Sequence, residues 1–255
     1  MIYLAFVLAT LFILLFVLYQ LQYFMIFTPT YIKDRRLCDR CEALEIVTND
    51  GVALEGVVYE PKEPTATLLF FAGRSHDSVA LIQKLQKEYP KTRIITFNYR
   101  SYGTNKGSIT EQNMFADALH IAQIVQKNYG DFYLLGFSLG SSLSAYVASK
   151  MDLKALFLVG AFDSISSIAQ KKFGYTIPYF LIRYKFPTLE FLKNVQTPTY
   201  LFVSTDDEIT YIENSRILSQ GINNLVLYKE YENRTHKEVL WDEDVISTIN
   251  GVLNR

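Results

Sequence analysis

The chain has 255 residues, 49% of them hydrophobic and 20% charged, with 25 Lys and Arg against 26 Asp and Glu for a net charge of −1. That length accommodates one α/β domain with an appendage and can bury a sizeable core. The charge balance excludes both the basic excess of a nucleic-acid surface and the acidic run of a disordered tail.

Taken in chain order, the first feature is apolar. No charged side chain precedes Lys33, and the stretch from Ile2 to Tyr19 continues through Leu21, Tyr23, Phe24, Met25, Ile26 and Phe27. As a helix it is long enough to cross a hydrocarbon core of about 30 Å. A cleaved signal peptide would carry a basic n-region, a shorter apolar core and a small-x-small site. This chain has no early Lys or Arg, and its flank reads Ile26-Phe27-Thr28-Pro29-Thr30. Residues 1–27 are therefore expected to be a retained transmembrane anchor with the lipid bilayer as its partner, residues 28–41 a charged connector and residues 42–255 the folded domain. Lys33, Arg35, Arg36 and Arg40 all follow the anchor, so the positive-inside rule puts the domain on the cytoplasmic side of a single-pass protein.

Cys38 and Cys41 form a lone C-x-x-C in that connector. Two thiols cannot complete a four-ligand zinc site, and the pair does not open a helix after a strand as a thioredoxin-like motif does. Incidental or locally redox-sensitive thiols are the expectation, with a disulfide as the alternative.

Alternating segments Ala43 to Thr48 and Val52 to Glu60 flank Asn49-Asp50-Gly51 and predict an antiparallel hairpin. Thr67 to Ala72 reads as a buried strand ending in Gly73-Arg74-Ser75, and Val79 to Tyr89 as a helix stopped by Pro90. Arg93 to Phe97 is the next strand. A helix from Glu111 to Asn128 follows, with Phe115, Leu119, Ala122 and Val125 at core spacing. The apolar run Phe132 to Leu135 predicts a further strand, and Leu139 to Lys150 a helix. Strands at Leu153 to Val159, Thr199 to Val203 and Leu225 to Tyr231 lead to a last helix ending near Leu253. Repeated β-then-α units build a mostly parallel sheet with helices on both faces. Between residues 161 and 196 the alternation lapses, and the aromatic stretch Gly174 to Tyr184 is expected to form a small helical lid over an acyl pocket, or else a core-facing helix pair.

Between the central strand and its helix stands Gly136-Phe137-Ser138-Leu139-Gly140, a G-x-S-x-G in the strand–turn–helix setting of a nucleophile elbow. A serine hydroxyl needs a base to take its proton and an acid to orient that base. His236 follows Ser138 in the chain, in a loop after the last strand, whereas His76 and His120 precede it at a helix start and within a helix. The run Asp206-Asp207-Glu208 follows the penultimate strand. Asp207 is the expected acid, with Asp206 in reserve. The amides of Leu139, at a helix N-terminus, and of Arg74, in the loop after the first parallel strand, are the expected oxyanion hole.

With these motifs in order, the chain resembles the α/β-hydrolase superfamily. Within it, the chain is most similar to the BEM46-like membrane-anchored serine hydrolases, related to human α/β-hydrolase domain proteins 12, 13 and 17. The resemblance covers most of the chain. It runs from Phe27-Thr28-Pro29 through Asn98-Tyr99-Arg100-Ser101-Tyr102-Gly103, where the family writes Asp-Tyr-Arg-Gly-Tyr-Gly, to Ser204-Thr205-Asp206-Asp207-Glu208-Ile209 and His236. The family's Gly-x-x-Asp-Glu-Ile pattern puts the triad acid at Asp207. Three departures stand out: Ala72 in place of the loop histidine, Asn98 in place of an aspartate, and Arg234-Thr235 before His236. The resemblance implies an α/β-hydrolase fold and a serine hydrolase acting on carboxylic esters or thioesters, lipid or acyl substrates foremost. Alternatives are a peptidase or amidase of the same superfamily and a catalytically silent scaffold. No Gly-rich phosphate loop or His/Cys/carboxylate ligand set is present in the sequence, so no cofactor or metal is expected.

Overall fold

The computed structural model describes residues 2–33, 35–174 and 178–254. Met1, Asp34, Arg255 and, within the aromatic stretch, Tyr175, Thr176 and Ile177 lie outside the described residues. The chain begins with helix α1, Ile2–Ile26, none of whose residues is buried and which is long and apolar enough to cross a bilayer. Phe27, directly after it, is fully buried. Its ring meets Tyr184 edge-on at 4.9 Å and Phe186 at 6.2 Å, so the end of α1 is pinned into the domain core.

Strands β1 (Cys41–Val47) and β2 (Ala53–Tyr59) form the expected hairpin, with Val47 opposite Ala53 at the turn. They lead into β3 (Ala66–Phe71), β4 (Thr92–Phe97), β5 (Tyr133–Phe137), β6 (Leu156–Val159), β7 (Thr199–Ser204) and β8 (Leu225–Tyr231). The sheet order is β1-β2-β4-β3-β5-β6-β7-β8. Pairs β1·β2 and β2·β4 are antiparallel and every later pair is parallel. Side chains alternate across the pleat. Leu69 and Phe71 of β3 face one apolar layer, Leu68 and Phe70 the other.

On the first face lie α3 (Glu111–Tyr129), α4 (Leu139–Ala148), α6 (Thr188–Leu192) and α7 (Ile212–Gly221); on the second lie α2 (Ser78–Glu88) and α8 (Glu243–Leu253). Helix starts follow capping chemistry: Thr110 accepts the Asn113 amide at 3.0 Å and Asp77 the Ala80 amide at 3.2 Å. The lapse after β6 holds α5 (Ile165–Phe173), a 3₁₀ turn at Tyr179–Leu181 and α6. Helix α7 escapes the sequence reading because its buried face includes Asn214 and Ser215 beside Leu218, which hides the apolar period. Cys38 and Cys41 are joined in a disulfide across a tight turn, with Cys41 N–H donating to the Cys38 carbonyl at 2.9 Å. This corrects the expectation of free thiols: the turn brings the two side chains together.

Two polar clusters lock the loops at the antiparallel end. Arg100 forks onto Asp117 at 2.7 and 2.8 Å and onto Asp50 at 2.7 Å, tying the hairpin turn to α3. Asn98 donates through Nδ2 to Glu55 at 2.8 Å and to buried Asp77 at 2.9 Å, and accepts the Ser78 amide at 2.6 Å. Arg35 of the connector reaches the same two carboxylates at 2.8 and 3.3 Å. Burial opposes ionisation of Glu55, but Arg35, Thr104 and Asn98 together bring its pKa down to about 2. An asparagine fits here for a physical reason: an acid would meet two more acids where a donor is required. Asn98→Asp should cost about 2–4 kcal/mol of stability, read as a lower urea midpoint for the detergent-solubilised chain. An unchanged midpoint would contradict the assigned role.

Candidate active site

The site is built at the C-terminal edge of the parallel strands, where β5 turns into α4. Ser138 sits at that turn with φ 52° and ψ −118°, a conformation that costs a non-glycine residue about 1–3 kcal/mol. The surrounding packing enforces it. A Cβ on Gly140 would lie 2.0 Å from the Phe71 carbonyl oxygen, and one on Gly136 would lie 2.5 Å from Ser144 Oγ. The Ser138 amide donates to the Val159 carbonyl at 2.9 Å, which anchors the turn to β6. Ser138 itself is only 6% exposed.

His236 lies in the loop after β8, buried, with its ring over Phe137 at a centroid distance of 5.0 Å. Space for it comes from Gly160, at φ +57°, where a Cβ would stand 2.9 Å from His236 Cε1. His236 Nδ1 is 2.5 Å from Asp207 Oδ2. An ionised carboxylate only accepts, so Nδ1 carries the proton and Nε2 keeps a free lone pair. Asp207 is fixed in turn by the Thr210 hydroxyl at 2.6 Å and by the amides of Ile209 and Thr210, both at 2.8 Å. Burial alone would raise the Asp207 carboxyl, but the hydrogen bond from His236, with those from Thr210, holds it below the usual carboxylate range. Asp206 points elsewhere and accepts the Asn233 amide at 2.7 Å. Among the described residues neither Ser138 Oγ nor His236 Nε2 has a hydrogen-bond partner. Bonds between nucleophile and base are often long before substrate binds.

The second loop is Gly73-Arg74-Ser75, where Ala72 takes the place of the family's histidine. Tyr99 donates its hydroxyl to the Ala72 carbonyl at 2.6 Å, and the Tyr102 hydroxyl donates to the Arg74 carbonyl. That carbonyl also accepts the Thr28 amide at 3.3 Å. Two tyrosine hydroxyls and a connector amide therefore hold a loop that lacks its histidine. The amides of Arg74 and Leu139 have no acceptor among the described residues. Ser138, Leu139 and Arg74 all line one cavity of about 520 Å³, whose walls are mostly apolar side chains such as Phe162, Ile168 and Leu181. Thr210, Tyr99, Tyr102 and Gly160 were not singled out as site-supporting residues from the sequence. The only signals were the Asp207-to-Thr210 spacing of an Asx-type turn and a lone glycine after a buried strand.

No family model matches the chain. It is similar to the alpha/beta hydrolase domain-containing protein aho-3 of Caenorhabditis elegans, 25% identical over 179 residues covering 63% of this chain and 53% of that protein. It is also similar to lysophosphatidylserine lipase ABHD12 of Gallus gallus, 28% identical over 134 residues covering 49% of this chain and 34% of that protein. The matches thus span about half or less of these relatives' own length. Among solved structures, the Pyrococcus furiosus esterase Pf2001 superposes with a TM-score of 0.68 at 16% identity, covering 90% of this chain and 97% of that one. The chain has the α/β-hydrolase fold. Sequence likeness to α/β-hydrolase domain proteins and the order of the eight strands agree on this point.

In this α/β-hydrolase fold His76 borders the Gly73 loop, with its ring 5.6 Å from Phe137 and its Nδ1 buried without a partner. It directly precedes Asp77, the N-cap of α2, at the helix start expected from the sequence, and is half-buried there. Burial pushes its pKa below the usual 6.5, and the nearby Lys237 ammonium acts in the same direction. Below about pH 6.5 the unfolded chain takes up a proton here that the folded chain refuses, so stability is full above that pH and is lost as pH falls. His76→Gln should flatten the fall of Tm between pH 7 and pH 5 relative to the parent. Parallel curves would contradict the buried neutral state.

Proposed function

We propose that the chain is a membrane-anchored serine hydrolase that cleaves carboxylic esters or thioesters of acyl groups. The observation that carries this reading is the strained Ser138 at the wall of an apolar cavity with the Asp207–His236 pair fixed beside the same turn. Ser138 Oγ attacks the carbonyl carbon while His236 Nε2 takes its proton. The oxygen that gains charge is met by the amides of Leu139 and Arg74. As the ester bond breaks, the imidazolium returns the proton to the leaving alcohol or thiol, and an acyl-Ser138 remains. Water, deprotonated by His236, then attacks that acyl group, releasing the acid and restoring the serine. Asp207 stays ionised throughout and stabilises the imidazolium.

Apolar walls favour an acyl group, and one relative carries a lysophospholipid lipase name. The peptidase alternative would call for an acidic pocket to hold a free amine, whereas the lining is mostly apolar and its charged members, Arg74, Lys172 and Glu208, include one acid. The silent-scaffold alternative has no use for a strained serine, because the strain opposes folding and serves no contact.

α1 is read as the anchor. Two features bear on its orientation and point opposite ways. Lys33, Arg35, Arg36 and Arg40 favour a cytoplasmic domain, whereas the Cys38–Cys41 disulfide favours an oxidising compartment. Thiol alkylation before and after reduction in intact cells separates them. A cytoplasmic domain predicts labelling without reductant; a domain on the other side predicts labelling only after reduction.

Turnover of acyl esters by the full chain in detergent tests the mechanism. Ser138→Ala should abolish it, Asp207→Asn should lower kcat by about 10³–10⁴-fold, and Asp206→Asn should leave it within a few-fold. Equal losses for the two aspartates, or full activity in Asp207→Asn, would contradict the assignment.

A further inference from the structure

The cavity at Ser138 is not closed by the hydrolase domain alone. One wall is α1, through Leu15, Leu18, Tyr19, Gln22, Met25 and Ile26. These positions fall at helical spacing on one stripe of the helix. At 1.5 Å per residue the stripe is about 16 Å long, roughly half of a hydrocarbon core of about 30 Å. We infer that this half of α1 is one wall of the acyl site, so that the ester's chain passes into the cavity directly from the bilayer leaflet adjoining the domain. The inference rests on the hydrolase reading and names its substrate class: a long-chain acyl ester resident in the membrane.

Three observations carry it. First, α1 is fastened to the site rather than loosely tethered. Gln22, one of two glutamines in the largely apolar α1, donates to the Leu181 carbonyl at 2.8 Å and accepts the Arg183 amide at 2.8 Å. The Arg183 guanidinium reaches Gln20 at 2.6 Å and lies over the Tyr19 ring at 5.3 Å. A polar amide in such a helix is costly unless paired, and here both of its ends are paired within the lid. Second, the Arg74 guanidinium donates to the Met25 carbonyl at the end of α1, at 2.5 Å. A residue that lines the cavity therefore also caps the end of α1. Third, the segment beside the stripe turns large apolar rings outward. Phe180 is 77% exposed, and Tyr179 and Phe173 are about half exposed, while Lys172 lines the cavity mouth and the Lys185 ammonium sits over Tyr179 at 4.5 Å. Aromatic rings with nearby cations are the composition of a surface seated at the headgroup level. A chain entering between this surface and α1 would leave hydrocarbon only to enter an apolar cavity and would not cross water.

The test uses the full chain in lipid nanodiscs and a long-chain phosphonate with a photoreactive diazirine at the chain end. The phosphonate reacts with the serine, and light then joins the chain end to its neighbour. The inference expects crosslinked peptides from residues 2–26. Crosslinks confined to the hydrolase domain would overturn it. A second arm compares hydrolysis of C16 and C4 esters. Leu18→Trp should lower the C16-to-C4 ratio of kcat/KM at least tenfold, whereas Val17→Trp, on the opposite side of the helix, should leave that ratio unchanged. Equal ratios in the parent and Leu18→Trp, or an equal shift in both variants, would contradict the wall. A parent chain that neither reacts with the phosphonate nor turns over any ester would instead overturn the hydrolase reading, and this inference with it.

Discussion

The whole site depends on a contact between backbones: the first turn of α4 lies against the end of β3 so closely that Gly140 has no room for a methyl group beside the Phe71 carbonyl. That approach forces the turn between β5 and α4 to be sharp and holds Ser138 at positive φ. With the serine so placed, Ser138, Leu139 at the helix start and Arg74 from the loop after β3 all line the same cavity. The strain is sustained because β5 is flanked on both sides by parallel strands with fully buried side chains, so the sheet cannot relax around it.

Around this turn the chain assembles support in layers. Thr210 and two amides orient Asp207, Asp207 orients His236, and Gly160 leaves space for the imidazole. On the other side, Tyr99 and Tyr102 hold the Gly73-Arg74 loop through its carbonyls, and Arg74 in turn grips the end of α1. The end of α1 and the loop are thus held together. Phe27 in the core and Arg35 on the Glu55–Asp77 pair add further ties. The apolar helix α1 and the loop beside Ser138 are joined by these contacts.

Much of this was legible in the sequence because the responsible physics is local. Continuous apolar runs mark the buried strands, the glycines around Ser138 mark the sharp turn, and the charge-free first 32 residues mark α1. Chain order alone singled out His236, and the acid run after β7 narrowed the partner to adjacent residues. What the sequence could not express is direction. The motif pointed to Asp207, but only the fold shows Asp206 accepting the Asn233 amide while Asp207 faces the imidazole. Helix α7 was hidden because its inward face is partly polar. The pairing of Cys38 with Cys41 depends on the tight turn between them, while the tyrosine hydroxyls on the Gly73 loop and the α1 wall of the cavity depend on tertiary approach, for which no local pattern exists.

The most direct measurement of the central claim is peptide mapping by mass spectrometry after treating the full chain with a fluorophosphonate. Such a reagent phosphonylates a serine only when a neighbouring base has activated its hydroxyl. The account predicts a single adduct on the peptide carrying Ser138, absent from His236→Ala. An adduct on any other serine, or none on folded protein, would contradict it.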